Sequence, residues 1–154
     1  MPGSSKVIIT DTSCFSLLRK LDSLEILHEL FSGVVTTPEI AAEFKFPLPE
    51  WVQIQEAGNK SLQQEYLKFI DPGEASAIAL AAEISYDYLI LDDADARRFA
   101  EKLGLPVTGT IGLLVIAKNQ GLIPLLRPYF DRIQQTNFHI SAALLERVLR
   151  YAGE

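Results

Sequence analysis

Asp11, Glu43, Glu74, Asp92, Asp93 and Asp95 are the residues whose type and placement could do chemistry together. Asp11 follows the short apolar run Lys6–Thr10, and Asp92 and Asp93 follow the run Tyr88–Leu91, with Asp95 two residues on. Glu43 lies late in a segment that opens at Pro38, and Glu74 follows Asp71-Pro72-Gly73. Carboxylates gathered in one place repel one another, which raises some of their pKa values unless a cation neutralises them. An all-oxygen ligand set selects a hard ion, Mg²⁺ or Mn²⁺, that keeps water in its shell. Such an ion orients and deprotonates water and stabilises charge on a phosphodiester during in-line displacement. Metal-assisted phosphodiester hydrolysis is the chemistry implied. Each acid also has a plainer role: Asp11 as a helix cap, Glu74 as an acid at a helix N-terminus, Asp92, Asp93 and Asp95 as caps and solvated surface, Glu43 as an exposed helix acid. Their joint placement favours a shared site.

The elements that must position these acids follow from the pattern. Lys6–Thr10 (KVIIT) is a continuous β-branched run, as in a strand buried on both faces. Asp11-Thr12-Ser13 supplies helix-starting residues before the amphipathic stretch Phe15 to Phe31, which Asp22-Ser23 divides in two. Val34–Thr36 reads as a second strand, and Pro38 as the first turn of a helix carrying Glu39 and Glu43. Pro47 and Pro49 force extended chain, Trp51–Gln55 fits a strand and Leu62–Phe69 a helix. Asp71-Pro72-Gly73-Glu74 gives an N-cap, Pro at N1 and an acid at N3, opening the helix Ala75–Ile84. Strand Tyr88–Leu91, helix Ala94–Leu103 stopped by Gly104, strand Pro106–Thr108, and helices Thr110–Asn119, Leu125–Gln134 and Ser141–Tyr151 complete the order. Short apolar strands alternating with helices predict an α/β fold with a mainly parallel sheet. Ligands in such folds bind beyond the carboxyl ends of the strands, so Asp11 and Asp92 share that edge.

The whole chain bounds the answer further. Its 154 residues, 48% of them hydrophobic and 22% charged, suit one domain over residues 1–154 with a substantial core. The helices of residues 124–154 carry an apolar stripe, Ile140, Leu144, Leu145, Val148 and Leu149, for packing on that core or for an interface. The lone Cys14 excludes an internal disulfide framework and a cysteine-based zinc cluster, and fits a reducing compartment. No apolar run approaches the roughly 18 residues of a membrane helix. The opening Met1–Lys6 lacks the apolar core of a signal peptide, so a cytoplasmic location and no membrane partner are expected. A net charge of −6 argues against non-specific polyanion binding, unless the acids gather around a divalent cation.

Other candidates have structural explanations. His28 and His139 have no partner at metal-ligand spacing, and Cys14 fits a small buried hydrophobe. Trp51, Tyr66 and Phe69 could stack on RNA bases, or seal a core or a dimer. Gly109-Thr110-Ile111-Gly112 lacks the ending of a phosphate-binding P-loop. A phosphoaspartate receiver is disfavoured, since no second Asp sits two residues beyond Asp11 and no Lys closes the last strand.

The segments VIITDTS, PEIAAEF, DPGEASAIALA and LILDDADARRFAEKLGLPVTGTIGLL resemble the PIN-domain family. The likeness runs from Lys6 to Gly153 and is nearest to VapC-like ribonucleases of toxin–antitoxin systems and their prokaryotic relatives. That resemblance implies a three-layer α/β/α sandwich around a mainly parallel sheet, Mg²⁺ or Mn²⁺ as cofactor, and RNA as substrate. It implies Asp11 as the clearest metal ligand, Glu43 as the second and Glu74 as a third. The last acid is Asp92, Asp93 or Asp95, with Asp92 ranked first. Thr12, Ser13 and Thr110 are implied as supporting residues, and Arg97 and Arg98 as contacts to substrate. A homodimer and an antitoxin protein are the implied partners. The expected function is a metal-dependent endoribonuclease, the toxin of such a pair. The alternative is a non-catalytic module that binds protein or RNA, which a site too spread out to hold a metal would favour.

Overall fold

The computed structural model describes residues 3–154; Met1 and Pro2, part of the opening stretch read above as no signal peptide, lie outside them. Strand β1 (Gly3–Thr10) forms the middle of a five-stranded sheet, where Ile8 and Ile9 are wholly buried on its two faces. On one side it pairs with β2 (Phe31–Thr36), which pairs in turn with β3 (Val52–Ile54). On the other it pairs with β4 (Tyr88–Ile90), followed by β5 (Val107–Thr108). Every pairing is parallel and the order is β3-β2-β1-β4-β5. Helices cover both faces, giving the three-layer α/β/α arrangement. The chain first builds outward from β1 to β3 and then returns to build outward from β4 to β5. The gap between β1 and β4 is therefore the switch point, where the crevice beyond the strand ends opens.

Local chemistry starts and stops the helices that border this crevice. Helix α1 (Thr12–Lys20) starts at Asp11, whose Oδ1 accepts from the Cys14 N–H at 2.9 Å. After α2 (Glu25–Leu30) and β2, helix α3 (Pro38–Phe44) starts at Thr37, and after α4 (Lys60–Tyr66), helix α5 (Pro72–Ala81) starts at Asp71. Beyond β4, helix α6 (Ala94–Lys102) starts at Asp93. Helix α7 (Thr110–Asn119) follows β5, and α8 (Arg127–Gln134) and α9 (Ala142–Tyr151) close the order.

Helix α5 (PGEASAIALA) is apolar around its whole circumference and buried from Ala75 to Ala81, as a helix packed on all sides must be. It lies against β1 and β4 and against α3 and α4. A buried relay ties its first turn to α3. Thr37 Oγ1 accepts from the Ile40 N–H at 3.2 Å and donates to Ser76 Oγ at 2.7 Å, and Ser76 Oγ donates to the Gly73 carbonyl at 2.6 Å. Thr37→Val keeps the shape but removes both bonds, at a cost of about 2 kcal/mol. The melting temperature is expected to fall by about 4–8 °C. A thermal melt unchanged by this substitution would show that the relay carries no net stability.

Several boundaries differ from the sequence expectation: β1 begins at Gly3 rather than Lys6, β3 is Val52–Ile54 rather than Trp51–Gln55, and α8 begins at Arg127 rather than Leu125. Phe31 starts β2 rather than ending the helical stretch, because β2 pairs with β1 back to the Gly3 and Phe31 register. Its neighbour Gly33 lies so close to the Val7 side chain that an added Cβ would stand 3.0 Å from Val7 Cγ2. Helix α5 stops at Ala81 rather than Ile84, with a turn leading into β4. Helix α4 spans Lys60–Tyr66 rather than Leu62–Phe69.

The C-terminal stripe divides. Leu145 and Leu149 are buried, Ile140 and Val148 are half-buried, and Leu144 is 38% exposed. The Glu154 carboxylate accepts from Lys118 Nζ and from the backbone N–H groups of Leu126 and Arg127 at 2.6–3.0 Å, fastening residues after α9 to α7 and to the start of α8. No helix among the described residues is long and apolar enough to cross a membrane.

Candidate active site

The register of β1 and β4 pairs Thr10 with Ile90, so the residues just beyond them emerge side by side. The Asp11 N–H donates to the Ile90 carbonyl at 3.2 Å, and the Asp92 N–H donates to Asp11 Oδ2 at 2.9 Å. With Oδ1 on the Cys14 N–H, both Asp11 oxygens are held by backbone donors, and the residue is only 4% exposed. Asp92 is held from the other direction by Thr110, at the head of α7. The Thr110 N–H reaches Asp92 Oδ1 at 2.7 Å, and Thr110 Oγ1 donates to Oδ2 at 2.6 Å.

Burial first, and then the neighbouring Asp92 charge, push the Asp11 carboxyl well above the usual carboxylate range. The two backbone bonds oppose this, and the Glu74 charge adds to it. Asp92 is also raised, chiefly by burial, against the Thr110 hydrogen bonds and the Arg97 guanidinium.

A cavity of about 230 Å³ opens beside Asp11, bordered also by Thr12, Ser13, Glu43, Asp71, Gly73 and Glu74. Thr12 Oγ1 donates to Glu43 Oε1 at 2.7 Å, so the residue after Asp11 holds the α3 carboxylate against α1. Glu74 Oε1 accepts from the Asp71 N–H at 3.2 Å. Its carboxyl is raised to about 7, first by burial and then by the charges of Asp93, Asp71 and Glu43, against that single backbone bond. No lysine or arginine forms an ion pair with Asp11, Glu43, Glu74 or Asp92 among the described residues. The fold thus holds a group of acids, Asp11 buried and Glu74 and Asp92 half-buried, whose only nearby compensation from the chain is the Arg97 guanidinium beside Asp92. Oxygen donors of this kind fit a hard divalent ion. As the side chains stand, however, no three acids among the described residues converge closely enough to form a metal cluster. Each is held instead by a donor of the chain.

Gly73 is part of the cavity wall because a Cβ there would run into the Glu43 carboxylate. Gly73→Ala is expected to push Glu43 away and to weaken Mn²⁺ binding by about tenfold, with the helical content unchanged. Calorimetric titration beside a circular dichroism spectrum reads both, and unaltered Mn²⁺ affinity would separate Glu43 from the ion.

The remaining candidates divide. Thr110 stands at Asp92; Thr12, expected with Ser13 to orient Asp11, holds Glu43 instead, and Ser13 borders the cavity beside Asp11. Asp93 lies outside the cavity: its Oδ2 accepts from the Ala96 N–H at 2.9 Å, capping α6, although its charge reaches Glu74. Asp95 and Arg98 are not brought to the site. Helix α6 buries Ala96 and Ala100, which turns Asp95 and Arg98 outward, where they form an exposed i,i+3 ion pair with each other. Arg97 donates through Nη1 to the Leu91 and Asp92 carbonyls at 3.1 and 2.7 Å, bracing the turn that presents Asp92.

Sequence reasoning gave no site role to one group of residues near the acids, His139 among them. Lys20, Asn137, Phe138 and His139 line a groove of about 600 Å³ that shares Thr12, Ser13, Asp92, Asp93 and Arg97. The connection between α8 and α9 delivers three of them, and no motif or periodicity marks that segment. The aromatic residues read as a possible wall part company. Trp51 stacks on His28 at 5.0 Å, whereas Tyr66 and Phe69 pack on Phe99 at 5.3 and 5.6 Å. Cys14 is buried and unpaired.

Compared with known proteins, residues 7–154 match a family model described as a PIN domain. No curated protein matches the chain.

Proposed function

This chain belongs to the PIN-domain family, a family of nuclease-type fold, and from that premise we propose that it is a divalent-metal-dependent endoribonuclease. The observation that carries this reading is the pairing of Asp11 and Asp92 across the switch point, with Glu43 and Glu74 sharing the cavity beside Asp11 and no basic side chain lining that cavity. Asp11, Glu43, Glu74 and Asp92 would hold Mg²⁺ or Mn²⁺. Bound there, such an ion supplies Lewis-acid stabilisation of phosphodiester charge and makes water more acidic.

The chain's own residues set the geometry. Backbone donors fix both oxygens of Asp11, Thr12 holds Glu43, and Thr110 clamps Asp92. Glu74, with its carboxyl raised to about 7, is suited to take up a proton from attacking water on the oxygen not bonded to Asp71. The likeness of DPGEASAIALA and GLPVTGTIGLL to VapC-like ribonucleases supports a setting as the toxin of a toxin–antitoxin pair. In that setting one domain spanning residues 1–154 acts on RNA in the cytoplasm as a homodimer, restrained by an antitoxin protein.

A second reading, a non-catalytic PIN-like module, is favoured by the lack of any three converging acids among the described residues. A mixed RNA pool incubated with the purified chain separates the two. Cleavage with Mn²⁺ or Mg²⁺ and none with EDTA is expected of the nuclease. Neither cleavage nor calorimetric Mn²⁺ binding would leave the binding module as the reading.

A further inference from the structure

Arg97 acts on Asp11 without touching it. Side chains of a helix lean back towards its N-terminus, and Arg97, whose N–H bonds the Asp93 carbonyl at the cap of α6, extends back over the turn that ends β4. Both hydrogens of its Nη1 are used there, on the Leu91 carbonyl at 3.1 Å and the Asp92 carbonyl at 2.7 Å. The Leu91 carbonyl and the Asp92 N–H belong to one peptide group, and that N–H donates to Asp11 Oδ2 at 2.9 Å. A cationic donor on the oxygen of a peptide group polarises it and makes its N–H a stronger donor. The guanidinium, the 91–92 peptide and the Asp11 carboxylate thus form one chain of hydrogen bonds across the switch point.

The packing is shaped around this contact. A Cβ on Gly109 would stand 2.9 Å from Asp92 Oδ1, 3.3 Å from Arg97 Nη1 and 3.5 Å from the Leu91 carbonyl oxygen. Any side chain there would crowd the guanidinium, the carboxylate and the carbonyl, which meet at the head of α7. The carbonyl's own residue is fixed from the other side, since the Leu91 N–H donates to the Thr108 carbonyl at 2.9 Å. Helix α6 gives no reason of its own for the arginine, because a cation near a helix N-terminus opposes the macrodipole. Arg98, one residue on, shows the ordinary alternative, an exposed guanidinium paired with Asp95.

We propose that Arg97 is the positioning residue of the acidic site: through the 91–92 peptide group it tightens the bond from the Asp92 N–H to Asp11, and so fixes both acids at once. This rests on the nuclease reading of the site and adds to it a residue that touches neither ion nor substrate. Arg97 stands on the chain's side of the acids, where its charge offsets the carboxylates without occupying their free oxygens. Its link to Asp11 depends on a hydrogen bond to one carbonyl, so an equal charge placed elsewhere on α6 cannot replace it.

The amide proton of Asp92, followed by nuclear magnetic resonance in the isotope-labelled full chain in EDTA, reads the link without metal or cleavage. Arg97→Gln should move that resonance upfield and speed exchange of the amide by about 5–10-fold. Calorimetric Mn²⁺ affinity should fall by about tenfold, as when a residue that orients a metal ligand is lost. Arg97→Lys, which keeps the charge and a donor, should recover part of each effect. Arg98→Gln removes an equal charge from the same helix and should change neither. An Asp92 resonance indifferent to Arg97→Gln, an equal response to Arg98→Gln, or a loss of RNA affinity in EDTA with Mn²⁺ affinity intact would each overturn the proposal. The two readings fail separately. A resonance that responds to Arg97→Gln, in a parent that neither binds Mn²⁺ nor cleaves RNA, leaves the link standing and removes the nuclease. Metal-dependent cleavage by a chain whose Asp92 resonance and Mn²⁺ affinity both ignore Arg97 removes the link alone.

Discussion

Asp92→Asn is expected to melt above the parent protein in EDTA and below it in saturating Mn²⁺. Asparagine is isosteric here, and Thr110 can serve it: the Thr110 N–H still reaches the side-chain carbonyl, and the hydroxyl turns to accept from the amide. What disappears is a buried negative charge that pushes up the Asp11 carboxyl. Removing a like charge from a desolvated pair is favourable when no cation is present, and the melting temperature should rise by about 2–5 °C. A ligand that binds only the folded chain stabilises it by about 2.7 kcal/mol at a concentration 100 times its dissociation constant. The parent gains that increment from Mn²⁺ and the variant loses most of it, so the order inverts. RNA cleavage should fall by about 10²–10³-fold, the equivalent of several kcal/mol of charge stabilisation at the transition state. A residue of purely structural value would lose stability under both conditions. Melts that keep the same order with and without Mn²⁺ would remove Asp92 from the ion's surroundings.

The second large effect is on pH. Glu74 has a folded-state pKa of about 7 against 4.5 for the free side chain, so between those values the folded chain binds more protons than the unfolded one. Stability in EDTA is therefore expected to fall as pH rises from about 4.5 to about 7, and Glu74 contributes nothing further above that. Asp11 and Asp92 are raised as well and act with the same sign from their ordinary value of 3.8 upward. Glu74→Gln should flatten the upper part of the curve, near pH 6–7, where Glu74 is still losing its proton. Divalent ions compete with the same proton. Mn²⁺ affinity should climb with pH up to about 7, approaching tenfold per unit for each proton displaced, and then level. Calorimetric titrations between pH 5.5 and 8 read the slope directly. An affinity independent of pH, or one left as steep by Glu74→Gln, would show that Glu74 does not face the ion.

Much of this was legible where the signal is local. Thr110–Asn119 is helical between its expected ends, because a Gly-Thr start and the Asn-Gln-Gly stop are written into neighbouring residues. Gly104 ends the region of α6 with φ of +77°, a conformation that favours glycine. Asp11 could be placed at a strand end from KVIIT alone, and it proves both to cap α1 and to accept from the Asp92 N–H, so the plain reading as a cap does not keep it from the neighbouring acid. The order β3-β2-β1-β4-β5 could not be read in this way, since pairing between Thr10 and Ile90 spans eighty residues and leaves no local trace. The groove side chains were hidden for the same reason. Lys20 and His139 acquire meaning only when α1 and the segment before α9 meet. Asp95 was a different kind of miss. Its i,i+3 spacing to Arg98 was visible, but resemblance to a family pattern outweighed the helical geometry that turns it outward.

Helix α5 has a mechanical consequence. Five of its seven buried side chains from Ala75 to Ala81 are Ala or Ser, the exceptions being Ile78 and Leu80, and Ala75, Ser76, Ala77 and Ala79 are wholly buried between the sheet and its neighbours. Small side chains act as thin shims, letting the backbones on either side approach closely. Glu74 rides on this helix and Glu43 on α3, which packs against it, so the thickness of the shim gauges the separation of two acids that it does not itself contain. Each added methyl would move that gauge and open the acidic cavity from behind. Selection on the spacing of the carboxylates would then be felt at alanines that never touch a substrate.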